Sequence, residues 1–347
     1  MNGEKRIALA ALALAISLAP AMATGQGDSA GAGAGESGIS EDAAAHEQLE
    51  DAYQEEQDRE ERHQAYVGSP EAEAERERSR SAYRNLSAAE SADLIEDAHP
   101  ETLGALDADP ARGIDELGID SFVTDEVVVV DPTAEGEPKA LSIGATPLRA
   151  VPPGGGPKEP LDLTLERRGD RYETKNALAP LELPASLPGA VSLAGTGVEI
   201  ALAGAEDSSA VRLGERDLVW PEVMSDTDLM AAPIAQGVEL FVQIRSPEAA
   251  ERYALDVSLP EGATLEPAYE GQGAVVRRAG RALVFILPPI ATDAQGSEVA
   301  VSMEVEGSSL VLTAPHASKD FAYPILLDPI AENYLFYDQT GNIGLDE

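Results

Sequence analysis

Residues 219–329 open on Val219-Trp220-Pro221 and close on Tyr323-Pro324-Ile325-Leu326-Leu327-Asp328-Pro329. Between those ends the chain alternates short β-branched or apolar runs with Gly, Pro and Asp turn signals. Strands are expected at Leu218–Trp220, Leu229–Pro233, Val238–Ile244, Tyr253–Leu259, Ala274–Arg278, Ala282–Ile286, Val299–Val305, Leu310–Thr313 and Tyr323–Leu327. Strands this short and this evenly punctuated imply antiparallel sandwiches, since βαβ units need helical stretches between them.

The same texture reaches back to about Ser121. Phe122–Val130 and Pro147–Val151 read as strands, the latter followed by a Pro/Gly turn over 152–157. Leu161-Asp162-Leu163-Thr164-Leu165 alternates cleanly and is expected to pair with Tyr172–Lys175 across Arg168-Gly169-Asp170. Leu181–Leu183 and Val198–Leu202 alternate too. Gly197-Val198-Glu199 and Gly237-Val238-Glu239 enter strands in the same way, a faint internal repeat that would make the β region two related sandwiches.

Before Ser121 the pattern is helical and charged. Ser87-Ala88-Ala89-Glu90 is a capping box, in which the serine and glutamate side chains satisfy two orphan amides at a helix start. It opens a helix expected to run to Ala98 and stop before Pro100. Gly68-Ser69-Pro70 separates a charged helix over 71–85 from an earlier segment, 41–66. That segment has only Leu49 and Tyr53 as an apolar pair, which predicts a solvated or partly disordered arm.

The N-terminus has the layout of a secretory signal peptide. Lys5 and Arg6 precede an apolar run from Ile7 to Leu18, and Ala21-Met22-Ala23 supplies an A-x-A cleavage site. An uncleaved anchor is the alternative, disfavoured because the run is short for a bilayer span. Residues 24–40, rich in Gly, Ala and Ser, read as a flexible linker. The expected organisation is therefore signal peptide 1–23, linker 24–40, acidic helical segment 41–120, first β-rich domain 121–213, second β-sandwich domain 214–330, and a tail or truncated start of a next module, 331–347. The fold class is mainly β, with two antiparallel β-sandwich-like domains. The expected location is secreted or cell-wall-associated, in a bacterium.

Composition narrows the function classes. With 63 acidic and 24 basic residues the formal net charge is −39, which repels nucleic-acid phosphates and anionic lipid. Cationic partners, divalent metal ions or colloidal solubility fit such a surface better. No membrane span is expected after signal cleavage. The chain has no cysteine, which removes disulfides, thiolate chemistry, Fe–S clusters and a lipoprotein anchor together.

Motifs that carry chemistry elsewhere fail on context. Gly27-Asp28-Ser29-Ala30-Gly31 lacks the strand and helix that a nucleophile elbow needs. Gly33-Ala34-Gly35-Glu36-Ser37-Gly38 lies in the linker, without the βαβ frame that would set a pyrophosphate on a helix N-terminus. His46-Glu47-Gln48-Leu49-Glu50 carries Glu where a zinc-protease helix has its second histidine. His63, His99 and His316 are scattered. Carboxylate pairs for a hydrolase are too numerous to single one out. Asn85-Leu86-Ser87 fits a glycosylation sequon, but Ser87 is better explained as the helix cap. Two acidic turns, Asp226-Thr227-Asp228 and Asp293-Ala294-Gln295-Gly296, are candidates for holding Ca²⁺ through Asp226, Asp228 and Asp293. Neither completes a calcium loop, so a structural turn fits them better. Trp220, the sole Trp, is the candidate ligand-binding residue if exposed, where it would stack on a sugar; its apolar neighbours point to the core.

Several segments taken in order resemble the N-terminal β-rich region of large actinobacterial-type secreted surface proteins with rearrangement-hotspot (YD) repeats or laminin-G-like modules. They are Ala82–Glu90, Thr146–Ala150, Leu161–Leu163, Arg168–Asp170, Val219–Pro221, Asp226–Leu229, Gly237–Glu239, Leu259–Ala263, Asp293–Gly296 and Tyr323–Pro329. The resemblance spans most of residues 80–330. It implies a secreted β-rich module preceding a larger body, and it carries no catalytic residues. The leading expectation is a non-catalytic structural or interaction module with a protein or glycan partner at the cell surface. A carbohydrate-binding module for cell-wall or environmental glycan is the alternative, and a hydrolase the second alternative.

Overall fold

The computed structural model describes residues 53–333, except 55–56, 110, 113, 115–117, 132–139 and 145. The signal peptide, the linker, the three rejected motifs and nearly all of the tail lie outside the described residues. The chain is mainly β, with 44% strand and 18% helix.

Four helices come first: α1 over 57–67, α2 Pro70–Ala82, α3 Ala88–Ala98 and α4 Pro100–Asp107. The expected capping box is present at α3, with Ser87 and Glu90 bonded reciprocally. Ser69 caps α2 through its side chain. His99 ends α3 and begins α4, because Pro100 cannot donate into a continuing helix.

A three-stranded sheet follows, made by β1 Ile119–Phe122, β2 Val127–Val130 and β3 Ala140–Ile143, with a short pair, β4 Arg149–Ala150 and β5 Glu159–Pro160. The remaining strands build two large antiparallel sheets. The first contains β6 Asp162–Arg168, β7 Arg171–Asn176, β8 Leu181–Pro184, β10 Val191–Leu193, β11 Val198–Leu202, β17 Arg252–Ser258, β22 Ser302–Glu306 and β23 Ser309–Thr313, in the order β22-β23-β17-β11-β10-β8-β7-β6. The second contains β13 Val211–Leu213, β14 Asp217–Met224, β15 Thr227–Ile234, β16 Gly237–Ile244, β18 Ala263–Ala268, β19 Gly273–Arg278, β20 Arg281–Ile286 and β25 Ile330–Asn333. Its order is β13-β14-β15-β16-β25-β20-β19-β18, and β24 Ile325–Asp328 joins β16 to β21 Ile290–Asp293. A bridge of β9 Ser186–Leu187 and β12 Ser208–Ser209 completes the set.

The hairpin expected across Arg168-Gly169-Asp170 forms between β6 and β7, with Gly169 in the left-handed conformation the turn requires (φ 68°). The expected boundary at 213/214 is corrected. β11, from the first half, pairs directly with β17, from the second. One apolar core takes Leu183, Ile200, Leu255 and Leu312 from one sheet, and Trp220, Leu240, Val276 and Leu327 from the other. The two halves thus contribute sheets to a single sandwich. The repeated Gly-Val-Glu segments enter β11 and β16, on opposite sheets, and both valines are buried in that shared core.

The first sheet keeps the alternation of a surface that is wet on one side. β11 reads buried–intermediate from Val198 to Leu202. The middle of the second sheet does not: β15, β16 and β24 are buried on both faces almost throughout. The reason is α3 and α4. Their Ala92, Ile95 and Leu106 cover an outer apolar face of Val219, Met230, Ala232, Phe241 and Leu326. α3 and α4 thus form a third layer over the second sheet, while α1 is mostly exposed.

Candidate functional site

Of the residues singled out for chemistry, Asp226 and Asp228 lie at the seam between the helical layer and the sandwich. β14 bulges after Trp220: its register on β15 shifts before Met224, and Glu222 takes a left-handed φ of 52°. Asp228, at the start of β15, holds that bulge. Its Oδ1 accepts the Glu222 backbone N–H at 2.7 Å, and its Oδ2 accepts Gln243 Nε2 at 2.7 Å. Arg245 Nε faces the same oxygen at 3.0 Å. Arg245 also pairs with the Glu222 carboxylate and donates to the Tyr83 carbonyl at 2.8 Å. Gln243 reaches the Ser91 carbonyl in α3 at 3.1 Å. One polar knot therefore ties the bulge, two central strands and the helices. Burial raises the Asp228 pKa, and Arg245 pulls it back.

The calcium candidates are occupied by protein groups. Asp226, also left-handed at φ 51°, donates its N–H to Glu222 Oε1 at 3.0 Å and accepts Ser246 Oγ at 2.5 Å. Asp293 is in another strand, β21. It accepts the backbone amides of Gln295 at 2.9 Å, Ser297 at 2.8 Å and Ala322 at 3.0 Å. The structure does not bring it to Asp226 and Asp228, and among the described residues no three His, Asp or Glu side chains are grouped to hold a metal. Trp220 is 0% exposed within the shared core, so it offers no stacking face to a sugar.

Asp293's neighbour Gln295 forms a second fastening, to α2. It donates to the Ala72 carbonyl at 3.1 Å and accepts Arg76 Nη1 at 2.8 Å. Ser79 Oγ accepts the Tyr323 N–H at 2.9 Å, and Arg80 reaches the Lys319 carbonyl at 3.1 Å. Two histidines, His316 and His99, are framework as well. His316 is fully buried between the Tyr323 hydroxyl (2.9 Å) and the Ala250 carbonyl (3.2 Å). His99 is buried at the α3–α4 junction with a hydrogen bond to the Pro324 backbone, and burial pulls its pKa down to about 4.

Sequence reasoning missed a third cluster. Arg112 is fully buried and donates to the Pro233 carbonyl at 2.8 Å, to both oxygens of Asp217 at 2.8 and 3.0 Å, and to Asp107 at 3.3 Å. Nearby, strand pairing sets β16, which carries Glu239, against β24, which carries Asp328. Burial raises both carboxyl pKa values, that of Asp328 well above the ordinary range, where the Glu239 charge pushes the same way. The signal available was Asp328 itself, a carboxylate ending an otherwise apolar run.

The chain matches no known protein family, no curated protein and no solved structure. Among the described residues no helix is long and apolar enough to cross a membrane.

Proposed function

We propose that this protein is a non-catalytic, exported structural or interaction module, the N-terminal scaffold part of a rearrangement-hotspot-like surface protein. One observation carries the reading: the groups best equipped for chemistry are spent on fastening. Asp226, Asp228, Asp293, Arg245 and His316 bond to backbone or to one another inside the fold. The result is a three-layer body that offers a partner a shape and a strongly acidic surface rather than a reactive cleft. The leader-like N-terminus and the lack of cysteine support export, since such a body is held by burial and hydrogen bonds in any redox environment.

The test is the intact mass of the protein recovered from culture medium and cell-wall fractions of a bacterial host that expresses the full chain. A species shortened by the first 23 residues supports the reading. A full-length species confined to the cytoplasm overturns the exported part of it. Turnover of a polysaccharide or peptide substrate by the purified protein overturns the non-catalytic part.

A further inference from the structure

α3 and α4 pack beside β13 and β14 at one edge of the second sheet and leave a groove of about 280 Å³ there. Its lining mixes two chemistries. Leu106 and Leu213 are buried and Leu103 is half-buried, so the deep part is apolar. Glu96 and Asp107 are exposed and bring carboxylates to the mouth. Asp217 of β14 adds a third, its side chain 13% exposed. Among the described residues that line the groove none is basic.

Gly104 is an independent sign. It sits inside α4, where glycine is the poorest residue short of proline. A Cβ there would meet no atom of the protein within 4 Å, so close packing does not demand glycine. The space that a side chain would take is the groove, which Gly104 lines.

The electrostatics are unfinished as well. The last turn of α4 holds no basic residue against its negative end. Arg112 reaches Asp107 and both oxygens of Asp217, but it is fully buried and anchored on the Pro233 carbonyl. Arg216 acts on Asp217 from the preceding position, and Arg212 turns to the Leu165 and Glu215 carbonyls. Burial still pushes the Asp217 carboxyl up.

These features select the guest. Among the described residues no three His, Asp or Glu side chains are grouped to hold a metal. An anion is repelled, and a neutral apolar guest would strip water from the carboxylates and give nothing back. A second copy of the chain brings its own formal charge of −39. An arginine side chain meets both halves of the lining. Its methylene stem lies on leucine, and its flat, weakly hydrated guanidinium can bond two carboxylates at once. The volume falls just under the roughly 300–1,000 Å³ of small-molecule pockets, which suits one side chain.

We propose that the groove between α3, α4 and β13 is a docking site for an arginine side chain presented by a basic partner protein. The proposal rests on the interaction-module reading and gives the partner its chemistry.

The experiment follows the leucine methyl signals of the full chain by NMR during titration with acetyl-Gly-Arg-Gly-amide. The same peptide with citrulline, the uncharged isostere of arginine, is the comparison. Leu103, Leu106 and Leu213 should shift and saturate with the arginine peptide, and stay in place with citrulline. Gly104→Leu fills the groove without touching a charge and should weaken binding by about tenfold or more. Glu96→Gln should weaken it too, which keeps the test alive if one variant folds poorly. Glu261→Gln, the same change of charge on the turn before β18, should bind as the wild type does. Equal shifts with citrulline, or wild-type binding by a folded Gly104→Leu, overturns the proposal. Saturable shifts confined to other methyls overturn this groove while leaving an interaction module standing.

Discussion

Arg245 Nε lies 3.0 Å from Asp228 Oδ2, and neither side chain reaches solvent. The pair is joined to the helical layer by Arg245 to the Tyr83 carbonyl and by Gln243 to the Ser91 carbonyl. Removing one partner leaves the other charge buried without compensation, a cost of about 3–5 kcal/mol. Arg245→Met should therefore destabilise by that amount in guanidinium unfolding and open α3 to limited proteolysis. The double change Asp228→Leu with Arg245→Met should cost clearly less than the sum of the singles. A loss below about 1 kcal/mol for Arg245→Met, the scale of a surface ion pair, would show that the knot does not hold the layers together.

Calcium makes a second test of the same residues. The carboxylates of Asp226, Asp228 and Asp293 already accept hydrogen bonds from protein donors. A cation would have to displace those donors. Millimolar Ca²⁺ and a chelator should thus give the same melting temperature in differential scanning calorimetry. A rise in Tm with Ca²⁺ that Asp293→Asn abolishes would restore the metal reading.

Trp220 reports on the core by itself, because the chain has one Trp. Completely buried between the two sheets, it should emit at short wavelength, resist acrylamide quenching and shift to the red in one step with unfolding. Trp220→Ala should cost about 3–5 kcal/mol, the range for truncating a large core aromatic. Native emission already red-shifted and freely quenched would place the ring at the surface and revive the sugar-stacking role.

How far the fold was legible depended on whether a strand had one wet face. β6, β7 and β11 alternate, so the hairpin at Gly169 and the strand at Val198 could be read directly. Ser87 and Glu90 encode a local structure and needed no tertiary information. The layer made by α3 was not legible, because its apolar side is short and its partner face lies more than a hundred residues away. That hidden layer is why Val238–Ile244, Glu239 apart, and Ile325–Leu327 are buried without alternation. The single sandwich was missed for a related reason: the β11–β17 pairing is long-range and leaves no mark at the 213/214 boundary. At the seam, Asp228 and Asp293 drew notice as acidic turns. Their true partners, Arg245, Gln243 and the Ala322 amide, could be named only once the strands were in register.

His99 sets the acid side of the stability profile. It is 5% exposed, its Nε2 has no partner, and burial lowers its pKa from 6.5 to about 4. A histidine kept neutral in the fold contributes stability that is present above its unfolded pKa and drains as pH falls through the folded value. The window therefore runs from about pH 6.5 down to about pH 4. At about 1.4 kcal/mol per pKa unit this is a loss of about 3 kcal/mol. His316, also lowered by burial, adds in the same direction. His99→Gln, which keeps a donor for the Pro324 backbone but cannot take up a proton, should flatten much of the acid limb in urea midpoints measured against pH. An acid limb parallel to that of the wild type would mean that His99 titrates in the fold as it does in water, and that the α3–α4 junction opens without cost.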